Sequence, residues 1–256
     1  MQPNGTAGQP TDRPIRSVGV IFAMEAEGAS VADTIGLGPP EPLHENLPMR
    51  IRRGRLDDLE VTMAFNGIDS DHQVDRIGTE AATLTTWMLL QQQRIDLLVN
   101  AGTCGGFQAR EGHVGKVYMA GYGLYFHDHR VNIDGFREYA EGPIMLSHGS
   151  VLAGELGLDS GPVSTGCSLD VTPAEIRFFQ ERGVIAKDME AAAIARVARD
   201  MGIPCIAVKS VTDIVDSDKP THEEFLRNLA RAVDRLDEVV ISLLRLLAEG
   251  RTLDRI

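Results

Sequence analysis

The chain has 256 residues, 43% of them hydrophobic and 24% charged, with a formal net charge of −12. That length can bury a sizeable core in one large domain or two smaller ones. The acidic balance, with no Lys/Arg block, argues against a nucleic-acid backbone or an anionic membrane surface as partner.

Residues 1–14 are rich in Gly, Pro, Thr and Asn and carry no apolar run of signal-peptide length. They read as a disordered leader ahead of a single domain over residues 15–256. No segment approaches the roughly 18 consecutive apolar residues that span a bilayer, so a soluble protein is expected. The three cysteines, Cys104, Cys167 and Cys205, are widely spaced and form no Cys-x-x-Cys. Such a set suits a reducing cytoplasm and argues against a disulfide framework or a thiolate zinc site.

Residues 18–23 (VGVIFA) form a short apolar run that reads as a buried strand, and residues 59–65 read as another. Residues 73–93 carry Val74, Ile77, Ala81, Leu84, Trp87 and Met88 at helical spacing and end in a Gln run. Residues 95–100 follow as a strand that stops at the Gly-rich stretch Ala-Gly-Thr-Cys-Gly-Gly, read as a turn. Residues 113–149 are the least regular and admit extra strands or a long loop.

Thr172-Pro-Ala-Glu175 has the form of a capping box with Pro at the first helical position. A brief strand over 184–186 precedes a helix over 189–201, and residues 204–211 form a near-continuous apolar strand. Thr221-His-Glu-Glu224 reads as a second capping box. It opens a long amphipathic helix whose inner face carries Phe225, Leu229, Leu236, Val240, Leu243 and Leu247. Buried strands separated by helices imply one three-layer α/β/α domain around a mostly parallel or mixed sheet.

In such sheets ligands bind beyond the carboxyl ends of the strands. Those ends deliver Glu25 and Glu27, Thr103, Asp188 and Glu190, and Asp213 to one edge. Acids grouped there repel one another and lose solvation, which raises at least one pKa and creates a proton donor near neutral pH. Asp188, just before a helix, reads as a capping residue. Glu25 stands evenly between a first-turn helix acid and a functional group. Convergence favours function for Glu27, Glu190 and Asp213, but it names no reaction. The Gly-rich stretch lacks dinucleotide-fingerprint spacing and the Lys-Ser/Thr of a phosphate loop. His127 and His129 would share one face of a strand. With no third ligand evident, structural or substrate-contact roles are expected of them rather than a metal site.

Together the motifs resemble a known family. Val20-Ile-Phe-Ala-Met-Glu-Ala-Glu27, Asn100-Ala-Gly-Thr-Cys-Gly-Gly106, Lys187-Asp-Met-Glu-Ala-Ala192 and Val211-Thr-Asp-Ile-Val-Asp216 look like the methylthioadenosine/S-adenosylhomocysteine nucleosidases of the nucleoside phosphorylase superfamily. Thr-Cys-Gly-Gly-Phe, Ser164-Thr-Gly and Asp218-Lys-Pro-Thr-x-Glu-Glu-Phe-Leu226 are closest to the plant-type branch.

The resemblance implies hydrolysis of the N-glycosidic bond of 5′-methylthioadenosine-type nucleosides in methionine salvage. It implies no metal, no organic cofactor and a homodimer. Asp213 matches the acid that protonates N7 of adenine, and Glu27 the acid that activates water. Met189 and Glu190 match the ribose-binding pair, Thr103 a serine near the water, and Leu169 and Asp170 the loop that reads adenine. Gly105 and Thr212 belong to the same substrate-binding set. Ile68, Val131 and Phe136 match the 5′-alkylthio pocket, the latter two lent by a second subunit. Cys167 stands where the family usually has aspartate, and His222 falls near the sulfur side.

A phosphorylase on the same fold is the nearest rival, but the arginines that would bind phosphate are missing where Glu25, Glu27 and Asn100 stand. A nucleoside-binding protein without catalysis would not need both Glu27 and Asp213. A nucleosidase for another nucleoside, such as an aminofutalosine, stays open.

Overall fold

The computed structural model describes residues 12–146, 149–218 and 220–256, leaving aside the side chain of Tyr122. The chain opens with β1 (Ser17–Phe22), a 3-10 turn (Glu25–Glu27) and α1 (Ala29–Thr34), then β2 (Glu41–Pro42), β3 (Arg50–Leu56) and β4 (Leu59–Phe65). After α2 (Thr79–Gln92) come β5 (Leu97–Gly106), β6 (Val117–Phe126), α3 (Phe136–Glu141), α4 (Ser150–Glu155) and β7 (Asp159–Thr165). The remainder is α5 (Pro173–Arg182), β8 (Ala186–Asp188), α6 (Ala191–Asp200), β9 (Cys205–Ile214) and α7 (Thr221–Ala248).

The nine strands form one mixed sheet in the order β2-β3-β4-β1-β5-β8-β7-β6-β9. Because β9 also pairs with β5, strands β5, β8, β7, β6 and β9 close on themselves and leave no open edge at that end. Strands β1, β4, β5 and β9 run parallel to their partners in this group, whereas β3–β4, β5–β8 and β6–β9 are antiparallel.

Alternation along β1 separates two cores. Val18, Val20 and Phe22 face one core with Val31 of α1, Leu152 of α4 and Leu236, Val240, Leu243 and Leu247 of α7. Ile21 faces the other, with Met88 and Leu89 of α2 and Ile194 of α6. Gly19 lets α2 lie close on the strand, since a Cβ there would sit 3.2 Å from Leu89 Cδ2. Helices on both faces of a mixed sheet make the expected three-layer domain.

Several boundaries differ from the sequence reading. Residues 101–106 are not a turn: β5 continues to Gly106, paired along its length with β9. The helix expected over 73–93 begins only at Thr79, and residues 73–77 are loop, because two of the apolar residues that set the helical spacing, Val74 and Ile77, are exposed. The box at Thr172 forms, with Glu175 N–H donating to Thr172 Oγ1 at 3.3 Å and Thr172 N–H to Glu175 Oε2 at 2.8 Å. At Thr221 it does not: Thr221 is already helical, and Glu224 accepts instead from Ile214 N–H at 3.2 Å. The irregular stretch 113–149 holds β6 and α3. Most of the expected leader, residues 1–11, lies outside the described residues. Arg13 pairs with Asp96 at 3.0 Å and Pro14 bridges to Thr252.

Candidate active site

A cavity of about 430 Å³ opens where β1, β5, β8 and β9 end, and it gathers Glu27, Thr103, Gly105, Leu169, Met189, Glu190, Thr212 and Asp213. The strand-end rule therefore locates the site. Lys187 is the only basic residue among the described residues that line it, beside the carboxyls of Glu27, Asp75, Asp188, Glu190 and Asp213.

Glu27 comes from the 3-10 turn after β1 and is 2% exposed. Its Oε1 accepts from both the backbone N–H and the hydroxyl of Thr103 at 2.7 Å, and Oε2 accepts from Met24 N–H at 3.1 Å. Three donors thus fix the position of the carboxylate. Glu25, on the same turn, is exposed and does not line the cavity, which leaves it as a first-turn helix acid.

Asp213 lies on β9 and is 2% exposed. Burial pushes its carboxyl up to about 6, while the Thr212 hydroxyl and the Lys187 ammonium pull it down. Thr212 Oγ1 lies 2.7 Å from Asp213 Oδ1 and 3.1 Å from the Cys104 carbonyl. The β5–β9 ladder shifts register between Cys104 and Gly105, which sets Gly105 opposite Asp213. A Cβ on Gly105 would meet Val215 Cγ2 at 2.5 Å and Asp213 Oδ2 at 2.9 Å, so only glycine leaves the acid its place.

Glu190 is 6% exposed and accepts from Gly78 N–H at 2.8 Å. Burial raises its carboxyl to about 7, against the pull of Lys209. Asp188 behaves as expected of a capping residue, accepting from Ala191 N–H at 2.8 Å, and it also takes the Thr165 hydroxyl at 2.5 Å.

Sequence reasoning missed Lys209, which is 1% exposed on β9 with its Nζ 2.7 Å from Asp188 Oδ2. Burial works against its charge, but Asp188, Glu190 and Glu27 outweigh it and raise its pKa. A lone lysine inside the apolar run Ile-Ala-Val-Lys-Ser-Val was the available signal, since buried lysines are almost always paired. Lys187 is also buried. Its Nζ donates to the Ser168 and Leu169 carbonyls at 2.5 and 3.1 Å, pinning the loop that brings Leu169 to the cavity.

Asp170, Ile68, Val131 and Phe136 lie outside the residues that line the cavity, and all four are exposed. Val74 and Ile77, with Phe225 from α7, instead give the cavity apolar lining. His127 is buried with Nδ1 3.0 Å from Ser164 Oγ, and burial depresses its pKa to about 4. Both His127 and His129 lie beyond the end of β6 rather than on one face of it. His129 stacks on Phe126 at 4.2 Å. Cys167 is exposed, with Sγ 3.0 Å from Thr79 Oγ1. His222, on the first turn of α7, is exposed.

Residues 17–245 match the model of the Phosphorylase superfamily. An Arabidopsis thaliana 5′-methylthioadenosine nucleosidase is 36% identical over 94% of this chain and 90% of its own length. A 5′-methylthioadenosine/S-adenosylhomocysteine nucleosidase from the same plant is 35% identical over 91% of this chain and 92% of its own. The apo structure of the Arabidopsis thaliana 5′-methylthioadenosine nucleosidase superposes with a TM-score of 0.91 at 36% identity, covering 95% of this chain and 100% of that one. The chain belongs to the 5′-methylthioadenosine/S-adenosylhomocysteine nucleosidase family of the phosphorylase superfamily.

Proposed function

We propose that the chain hydrolyses the N-glycosidic bond of 5′-methylthioadenosine, releasing adenine and the 5′-substituted ribose. S-adenosylhomocysteine and 5′-deoxyadenosine carry the same reacting atoms and belong to the same substrate class. The observation that carries this reading is the pairing of a buried acid of raised pKa, Asp213, with a three-donor-anchored carboxylate, Glu27, in one cavity.

In this reading the C1′–N9 bond breaks through an oxocarbenium-like state. Asp213 gives its proton to N7, so the electron pair leaves on neutral adenine. Glu27 takes a proton from the water whose oxygen bonds to C1′. Glu190 accepts from the ribose hydroxyls, contacts that strengthen as positive charge grows on the ring. Met189 packs on the sugar, and Thr103 both anchors Glu27 and faces the water. Gly105, Leu169 and Thr212 hold the base, Leu169 by stacking. Val74 and Ile77 form the 5′ side. Among the described residues that line the cavity there is no arginine to meet a phosphate dianion and there are five carboxyls, which favours water over phosphorolysis.

The expected cellular setting is methionine salvage in the cytoplasm, consistent with three free cysteines. No helix among the described residues is long and apolar enough to cross a membrane. Val131 and Phe136, 37% and 62% exposed, are read as residues lent to a partner's pocket in a homodimer. Light scattering is expected to give the mass of two chains; a fully active monomer would remove that part of the reading.

Asp213→Asn and Glu27→Gln are each expected to lower turnover of 5′-methylthioadenosine by about 10² to 10⁴-fold while a substrate analogue still binds. Glu190→Gln is expected to weaken both binding and turnover, because the ribose contact exists in ground and transition states. Near-normal adenine release by Asp213→Asn would contradict the assignment of the general acid.

The acid must be protonated to act, so kcat/KM is expected to decline as pH rises through about 6, the value to which burial lifts Asp213. The Thr212 hydroxyl favours the carboxylate form. Thr212→Val should therefore raise that pKa and move the alkaline limb to higher pH. A limb that stays in place or moves down would show that another group controls it.

A further inference from the structure

The loop between β4 and α2 makes two hydrogen bonds to elements of the site, and the reaction scheme above uses neither. It is held by its own hydrogen bonds: Asp69 N–H to the Val74 carbonyl at 2.8 Å, Gln73 N–H to the Asp69 carbonyl at 2.9 Å, and Arg76 N–H to the Gly67 carbonyl at 2.9 Å. Ile68 and Asp75 form an antiparallel bridge across it. From this frame Asp75 Oδ1 accepts from Glu25 N–H at 3.2 Å. At the far end of the loop, Gly78 N–H donates to Glu190 Oε1 at 2.8 Å.

We propose that Asp75 is a positioning residue for the reaction, fixing the 3-10 turn that carries Glu27 and tying it, through the loop, to Glu190. The proposal rests on the reading of Glu27 as the group that activates water.

The physical need is local. A 3-10 turn leaves its first N–H groups without partners in the turn. Met24 N–H is taken by Glu27's own carboxylate at 3.1 Å, and Glu25 N–H by Asp75. Glu25 and Ala26 are exposed, so hydrogen bonds rather than burial hold this part of the turn. Removing the Asp75 acceptor frees the turn to shift, and Glu27 moves with it. Misplacement of a reacting group by about 1 Å can cost on the order of 10²-fold in rate. Loss of this one hydrogen bond leaves the other anchors of the turn in place, so a loss near tenfold is expected.

Asp75 also lines the cavity, which suggests a different role: a negative charge that reads a cationic group on the substrate's 5′ substituent. The two roles separate on one substitution. Asp75→Asn keeps an oxygen acceptor for Glu25 N–H and removes the charge, whereas Asp75→Ala removes both.

The test compares full-length wild type, Asp75→Ala and Asp75→Asn in two assays. One is steady-state adenine release from 5′-methylthioadenosine, and the other is hydrogen exchange at the Glu25 amide. Expected for Asp75→Ala are a kcat about tenfold lower, a KM within about twofold of wild type, and exchange at Glu25 faster by about tenfold. Asp75→Asn should restore all three to within about threefold. The proposal is overturned if Asp75→Ala keeps wild-type kcat, if Glu25 exchange is unchanged, or if Asp75→Asn is as impaired as Asp75→Ala. If wild type releases no adenine, the functional reading falls on its own. Exchange at Glu25 then decides whether Asp75 holds the turn.

Discussion

One buried ammonium makes the site possible. Glu27, Asp188 and Glu190, all buried, converge on one cavity. An uncompensated buried charge costs several kcal/mol. Lys209 stands among them at 1% exposure, bound to Asp188 at 2.7 Å and drawing on Glu190 and Glu27. The β5–β9 ladder sets this arrangement in register, with Gly102 opposite Lys209 and Gly105 opposite Asp213. Closure of the sheet through that ladder therefore places the cation and the acid along one strand.

The same geometry divides the acids by role. Asp213 has Lys187 near it, but that ammonium already donates to the Ser168 and Leu169 carbonyls, so burial dominates and the carboxyl rises to about 6. Glu27 has three donors on its oxygens, which fix its position. A buried acid of raised pKa and an anchored carboxyl thus share one cavity, the pairing that the proposed cleavage uses. Burial raises Glu190, in the same cavity, to about 7. Its Gly78 partner lies at the end of the loop that also reaches the Glu27 turn.

Much of this was legible in the sequence. Apolar runs marked β1, β4 and β9, with Glu27 expected after β1 and Asp213 near the end of β9, where the structure has them. The Thr172 box marked the start of α5 because every group it needs is local. Other features depend on tertiary contacts that local pattern does not encode. Gly102, Gly105 and Gly106 suggested a turn, yet they keep β5 extended where Glu27, Asp213 and Val211 crowd against it. Val74 and Ile77 had helical spacing, yet they face the cavity from a loop. Strands β3, β6 and β7 went unread: β3 alternates with arginines at its polar positions, and glycines interrupt the other two. Lys209 was hidden by the apolar run around it.

In the proposed reaction an activated water, not phosphate, attacks C1′. The most direct measurement is turnover of 5′-methylthioadenosine in heavy-oxygen water, with and without inorganic phosphate, reading the sugar product by mass spectrometry. The expected result is adenine plus a free sugar carrying the heavy oxygen at its anomeric carbon, at a rate unaffected by phosphate. A sugar 1-phosphate without the label, formed only when phosphate is present, would contradict it.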